Sequence, residues 1–334
     1  MIKKIGLTFD LKTDYKPNQD DPQDIVAEFD SERTIGEISS ALEANGFKVE
    51  RIGNAKNLIK RLPDLGVDLV LNIAEGYKGR NRESQVPLLL EMYDVPFIGA
   101  DALTLGLTLD KLLAKKIFVA EGIPTPKFFE VDSVDELERI SDYNFPLFVK
   151  PRYEGSSKGL SEASRVTDIE GLRRQVELIT QVYKQSVLVE EFIKGREFTV
   201  AIIGNNPPEV FPSVQVEIDN EINLGDKFYT FARITSDRLK YVCPAKISEN
   251  LENELRQLAL RVYKAVDCRD FGRVDFRVDD NDKPFVLEIN PLPILSHEDT
   301  FMIVAEYTKI GYNGIIKKIV DAAIKRLNLN KKGE

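Results

Sequence analysis

The sequence predicts an α/β protein that opens with a parallel αβα sheet domain. Two observations carry that prediction. Across the first hundred residues, short β-rich runs alternate with amphipathic helical stretches, which argues a parallel sheet covered on both faces. The chain is 334 residues long, more than one core comfortably holds, so two or three domains are expected.

The elements follow in order. Lys4 to Phe9 (KIGLTF) reads as a buried strand, and a polar loop rich in Asp, Pro and Asn runs from Asp10 to Gln23. Ser31 has the chemistry of an N-cap; Ile35, Ile38, Ser39 and Leu42 then share a helical face, and Gly46 is the stop. Phe47 to Ile52 and Val67 to Asn72 are strands, Val86 to Tyr93 is an apolar helix, and Val95 to Gly99 returns to the sheet. A helix from Leu109 to Glu121 leads into Gly122-Ile123-Pro124-Thr125-Pro126, a linker signal. Phe145 to Lys150 and Ser186 to Glu191 are strands with a helix from Asp168 to Val182 between them, and Phe198 to Ile203 continues the sheet. Helices over Leu251 to Val266 and around Ile315 to Leu327 flank a last hairpin.

Composition narrows the function. Hydrophobic residues make up 43% and charged residues 30%, ordinary for a soluble globular protein, and a net charge of -9 argues against a nucleic-acid partner. No apolar run approaches a membrane span, and MIKKIGLTFD reads as a strand rather than a signal peptide. Only Cys243 and Cys268 are present, too few for a disulfide framework, so a cytoplasmic location is expected. The single histidine, His297, excludes a multi-histidine metal site within one chain.

The hairpin FGRVDFRVDDNDKPFVLEINPLP, Phe271 to Pro293, carries the first chemical signal. With a turn centred on Asn281 and Asp282, Asp275 falls opposite Glu288 and Arg273 opposite Asn290. Alternation then puts these four polar groups on one face, with Val274, Phe276, Leu287 and Ile289 on the other. Directly opposed carboxylates repel by up to roughly 1 kcal/mol. A hard divalent cation with oxygen ligands suits the gap between them; a solvated face of an edge hairpin is the alternative.

Two more stretches stand out. FPLFVKPRYEGSSKGL, Phe145 to Leu160, runs a strand into Lys150 and then a Gly-Ser loop whose backbone N–H groups and hydroxyls suit an anion, although such a loop also serves as a plain turn. VLVEEFIKGRE, Val187 to Glu197, is an apolar strand ending in acids, which suits a nucleoside as well as a polar exit from a core. Neither G-x-x-x-x-G-K-[ST] nor G-x-G-x-x-G occurs.

Taken together with LTLDK around Lys111, these motifs stand in an order that resembles the ATP-grasp superfamily, and within it the D-alanine–D-alanine ligases. The resemblance runs through the chain and is strongest from Leu109 to Asn290. It implies that the parallel domain is followed by a two-lobed, α+β ATP-grasp fold, with domains at 1–105, 106–195 and 196–334. It also implies ATP and Mg²⁺ as cofactors, with Mn²⁺ as a substitute ion, small-molecule amino-acid substrates, and a homodimer formed through the first domain. Lys111 and Lys150 match the lysines aimed at ATP phosphates. Glu154, Gly155, Ser156, Ser157 and Gly159 match the flap over them, with Ser156 among the catalytic positions. Glu190, Glu191, Phe192 and Ile193 match the adenine segment, and Glu197 the ribose acid. Arg273 matches the arginine that steadies the acyl phosphate and tetrahedral intermediate, and Asp275, Glu288 and Asn290 the metal ligands.

The departures lie at the amino-acid end. The family's His-Gly loop here reads Ala74-Glu75-Gly76-Tyr77-Lys78-Gly79-Arg80-Asn81-Arg82-Glu83, with Glu75 in place of the histidine. Lys78, Arg80 and Arg82 make it basic, either to bind an acidic acceptor or as an exposed charged loop. Glu32 in FDSERT is the candidate for the acid that holds the first amino group. Arg233 and Ile234 stand at the family's Lys-Tyr pair. After the metal ligands comes Pro293-Ile294-Leu295-Ser296-His297-Glu298, where Ile294 offers a backbone N–H to an oxyanion and Ser296 is the candidate for the carboxylate-binding serine. The reading is therefore an ATP-dependent carboxylate–amine ligase of cell-wall precursor synthesis. The alternatives are a related ligase for other amino acids or peptides, and an ATP-binding regulator.

Overall fold

The computed structural model describes residues 2–139, 144–234, 236, 238–297 and 299–329. Strands β1 (Lys4–Thr8), β2 (Lys48–Arg51), β3 (Leu69–Asn72) and β4 (Phe97–Ile98) form a parallel sheet in the order β2-β1-β3-β4. Helices α1 (Glu32–Ala44), α2 (Ala55–Arg61), α3 (Gln85–Met92) and α4 (Ala102–Leu109) connect and follow these strands. Side chains alternate between two cores. Ile5, Leu7, Leu69 and Leu71 pack with Ile35, Ile38 and Leu42 of α1, while Val70 packs with Leu58, Leu62 and Leu90 on the other face. The α1 signals act where the sequence places them: Ser31 Oγ accepts from Thr34 N at 3.1 Å, and Gly46 takes a φ of +91° just past the C-cap.

Helix α5 (Lys111–Ala120) begins immediately after α4, capped by Asp110, whose Oδ1 accepts from Leu113 N at 3.2 Å. The helix expected from Leu109 to Glu121 is α5; α4 before it was not expected, and Asp110, with φ -79° and ψ 89°, separates the two. A second sheet holds β5 (Phe128–Val131), β6 (Leu147–Pro151), β7 (Arg165–Val166) and β8 (Val187–Glu191), antiparallel in the order β5-β8-β6-β7. It is covered by α6 (Ile169–Val182), which buries Leu172, Val176 and Ile179, at helical spacing, against Val149, Val187 and Val189.

The third sheet contains β9 (Arg196–Ile203), β10 (Glu209–Val210), β11 (Val214–Ile218), β12 (Leu239–Val242), β13 (Phe271–Val278) and β14 (Pro284–Asn290). Its order is β12-β11-β9-β13-β14, with β10 added to β9. The short α7 (Phe231–Ile234) sits in the loop before β12, and α8 (Glu249–Ala265) packs Leu251, Leu255, Leu258 and Val262 on Phe198, Val200, Val274 and Phe276. Each such side chain contributes roughly 1.5–3 kcal/mol by leaving water. Ala114 and Phe118 of α5 join this core, so α5 belongs physically with the third sheet. Helices α9 (Thr300–Tyr307) and α10 (Gly311–Arg326) close the chain, and Ile315, Ile316 and Ile319 return to the core of the parallel sheet.

The last hairpin has the expected pairs, Arg273 with Asn290 and Asp275 with Glu288. Nearer the turn the register is one residue different, Phe276 with Val286 and Arg277 with Phe285, and a bulge next to Asp275 reconciles the two. The sequence reading put Leu287 on the apolar face; the structure corrects this. Leu287 is the extra residue of the bulge and lines a cleft, while Val286 takes the core position beside Val274, Phe276 and Ile289. Among the described residues no helix is long and apolar enough to cross a membrane.

Candidate active site

The three sheets surround a cleft of about 1120 Å³. Its floor is the polar face of β13 and β14. Asp275 Oδ1 accepts from Thr199 Oγ1 at 2.7 Å and from Arg273 Nε at 3.0 Å, and its Oδ2 accepts from Asn290 Nδ2 at 2.9 Å. Glu288 Oε2 lies 2.9 Å from Lys111 Nζ. Burial alone would raise the Glu288 carboxyl, but Lys111 and Lys150 pull it down to about 2. Asp275, Glu288 and Asn290 offer only oxygen and amide groups, and positive charge is already drawn between the two acids from Arg273 and Lys111. That donor set fits Mg²⁺.

A row of lysines faces this floor. Lys150, at the end of β6, holds its Nζ 2.7 Å from Glu190 Oε2, and Lys115 lies 2.5 Å from the other oxygen of the same carboxylate. Burial, with Lys111 adding repulsion, lowers Lys150 to about 8. Lys115 also donates to Thr125 Oγ1 at 2.6 Å, which in turn donates to Val286 O at 2.8 Å. The sequence reading missed Lys115. Its signal was available in LDKLLAKK, where Lys111 and Lys115 are four apart on one helical face.

At the far end the chain leaves β8 through Glu191, Phe192 and Ile193, all lining the cleft. Glu197 is buried at the start of β9; burial pushes its carboxyl up to about 7 although Arg277 Nη1 donates to it at 3.1 Å. Arg277 also donates to Ile193 O and Gly225 O, both at 3.0 Å, fixing this exit. Phe148, Phe192 and Phe228 form a wall of touching rings with centroids 4.9 to 6.2 Å apart. Gly195 is required between the strands: its φ is +139°, and a Cβ would stand 2.1 Å from Val278 O.

The flap is folded over the cleft, with Glu154, Gly155, Ser156 and Ser157 in its lining. Ser156 and Ser157 have φ of +47° and +56°. Gly155 N donates to Glu28 Oε1 at 2.6 Å, and Lys158 Nζ donates to Glu28 Oε2 at 2.8 Å. Gly159 is not in the lining; its N–H donates to Asp24 Oδ2 at 2.8 Å, and Tyr183 donates to the same carboxylate.

Three expectations fare differently at the amino-acid end. Glu32 lies outside the cleft: its side chain is 63% exposed and pairs with Arg51 at 3.2 Å. As the first residue of α1 it points outward, whereas Glu28, four residues earlier, reaches inward. Arg233 is turned away as well, donating to Phe228 O at 2.8 Å and pairing with Glu162 at 2.8 Å. The side chain of Ile234, and Glu298, lie outside the described residues. The basic loop splits: Arg80 pairs with Asp110 at 3.3 Å, whereas Arg82 is buried and donates to Glu28 at 2.8 and 3.0 Å. Ile294, Ser296 and His297 line the cleft, and the His297 ring stacks on Tyr312 at 4.2 Å. Asp299, which the sequence reading did not single out, caps α9 and lies 3.4 Å from Arg273 Nη1.

The family described as D-ala D-ala ligase C-terminus matches residues 117–321. The chain belongs to the D-alanine–D-alanine ligase family. The D-alanine–D-alanine ligase of Carboxydothermus hydrogenoformans is 31% identical over 86% of this chain and 91% of its own. An uncharacterized protein of Sinorhizobium fredii, y4sG, is 38% identical over 77% of this chain and 75% of its own. Among solved structures, the D-alanine–D-alanine ligase of Bacillus anthracis complexed with ATP has a TM-score of 0.74 at 22% identity, covering 98% of this chain and 99% of that one. The likeness in shape thus spans all three sheets, including the parallel domain that precedes the matched C-terminal segment.

Proposed function

We propose that the protein is an ATP-dependent carboxylate–amine ligase of the D-alanine–D-alanine type, making a dipeptide for cell-wall precursor synthesis in the cytoplasm. One observation supports this above the others: Lys111 of α5 meets Glu288 of β14 at 2.9 Å, beside Asp275 and within the same cleft as Lys150. Cations and metal-type ligands from four elements therefore face one another in the cleft.

On this reading the nucleotide lies with its base along Glu190 to Ile193 and the ring wall of Phe148, Phe192 and Phe228, and with its ribose at Glu197. Lys111 and Lys150 hold the phosphates, and the flap from Glu154 to Ser157 closes over them. Asp275, Glu288 and Asn290 would hold Mg²⁺, or Mn²⁺ in its place, which neutralises phosphate charge. A substrate carboxylate oxygen attacks the terminal phosphorus, giving an acyl phosphate and ADP. The amine of the second substrate then attacks the acyl carbon; phosphate leaves and the amine loses a proton. Arg273 neutralises the charge on the acyl phosphate, and the N–H of Ile294 is placed for the oxyanion. The division at 1–105, 106–195 and 196–334 goes with this assignment, although α5 of the middle segment packs on the third sheet; so does a homodimer through the first domain, where Leu88, Met92, Tyr93 and Leu103 are exposed on or beside α3 and α4.

The test is ADP release with Mg²⁺ and ATP against a panel of single D- and L-amino acids, with product masses. Stimulated ADP release with a dipeptide mass is expected. Tight ATP binding without stimulated turnover by any amino acid would overturn the ligase reading.

A further inference from the structure

The ligase reading gives no task to three acids of the cleft. Glu83, just before α3, is only 8% exposed yet lines the cleft. Glu75 and Asp30 line it too. Among the described residues none of the three side chains has an ion-pair partner or accepts a hydrogen bond. Three nearby cations are already engaged, Arg82 and Lys158 by Glu28 and Glu154, and Lys111 by Glu288; Lys12 attracts Asp30 from beyond ion-pair distance. Burial, with neighbouring carboxylates adding to it, raises Glu75 and Glu83, and burial raises Asp30. A carboxylate kept from water without a partner is costly, and the cost is relieved when a ligand brings a positive charge.

Two kinds of cation have that charge. Among the described residues no three of His, Cys, Asp and Glu converge on a point that would hold a metal ion. An ammonium needs only separate acceptors around it, which is what Glu83 and its neighbours provide.

We propose that Glu83, with Glu75 and Asp30, seats a positive charge on the side chain of an amino-acid substrate, so that one of the two substrates is a basic amino acid. The assignment rests on the ligase reading and names its substrate class. The residues that carry it, Glu75 and Glu83, stand in the loop where the chain departs from its family.

The experiment compares kcat/KM for ADP release with lysine and ornithine against norleucine and alanine, in both D and L series, using the full chain with Mg²⁺ and ATP. A basic amino acid is expected to exceed its neutral isostere by roughly 10- to 100-fold, the worth of a hydrogen bond to a buried charge. In Glu83→Gln that ratio is expected to fall by a similar factor, and in Glu83→Asp to recover in part. Turnover of alanine with no preference for basic amino acids would overturn the inference and leave the ligase standing. No stimulation by any amino acid would overturn both. Thermal stabilisation by Mg²⁺ alone, lost in Glu83→Gln, would assign the acids to a metal and overturn the inference as well. If Glu83→Gln does not fold, the wild-type preference decides.

Discussion

Lys111 Nζ sits 2.9 Å from Glu288 Oε2, tying the first residue of α5 to the edge strand of the third sheet. The contact neutralises one of two facing carboxylates in the absence of any ligand. Lys111→Met should lower kcat/KM for ATP by at least about 100-fold, the usual cost of removing one aligned charge at a reacting centre. Steady-state ADP release measures it.

Asp275 and Glu288 are direct neighbours across the β13–β14 ladder. Replacing both, Asp275→Asn with Glu288→Gln, should abolish detectable turnover. Stability should fall, because Lys111 and Arg273 lose their carboxylate partners, and that outweighs the relief of up to about 1 kcal/mol between opposed carboxylates. Turnover that survives the double change would remove the platform from the mechanism; thermal denaturation checks the second half.

Gly195 allows the chain to cross from β8 to β9 beneath Val278 O. Gly195→Ala must move backbone rather than a flexible side chain, so a loss of about 2 kcal/mol or more is expected. Urea unfolding would read it, together with weaker nucleotide binding at the Glu191 to Ile193 exit.

Glu28 carries charge from Arg82 and Lys158 at once. Glu28→Gln leaves Arg82 and Lys158 to share Glu154 alone, and a loss below the roughly 3–5 kcal/mol of a fully stripped buried pair follows. Hydrogen exchange should show the flap from Glu154 to Gly159 opening more often. Unchanged protection there would disconnect the flap from Glu28.

The pH dependence of stability has two parts of opposite sign. Burial raises Glu197 and Glu83 from 4.5 to about 7, so the folded chain keeps protons that the unfolded chain loses between those values. Their contribution is full below the lower value and declines as pH rises to the upper one. Glu28 and Glu288 are held at about 2 by their lysine and arginine neighbours, so their contribution is present above 4.5 and lost as pH falls toward 2. Stability should therefore peak on the acid side of neutrality, and Glu197→Gln should flatten the decline toward pH 7 in denaturant titrations.

What could be read in advance was local. Ser31 and Gly46 mark α1 because capping depends on neighbours three or four residues away. The polar face of Arg273, Asp275, Glu288 and Asn290 was legible because strand alternation has a fixed period. Leu287 was misplaced because a bulge adds one residue that no period announces. Glu28 and Glu32 are both acids of one short segment, and only the path of that segment into the cleft distinguishes them. Arg233 and Arg82 both left their expected places for the same reason: a long side chain goes where its partners are, and Glu162 and Glu28 are distant in sequence. Strands β11 and β12 went unread because VQVEI and LKYV mix polar residues into short runs.

Asp24 and Glu28 are four residues apart in the run of turns before α1, and together they accept from Gly155, Lys158, Gly159 and Tyr183 of the second domain. On the proposed ligase reading, the cover of the nucleotide is therefore fastened not to the lobe that supplies the phosphate lysines but to the domain that faces the amino acids. Any open state must surrender both carboxylates together, so admission of one reactant and enclosure of the other are a single mechanical event.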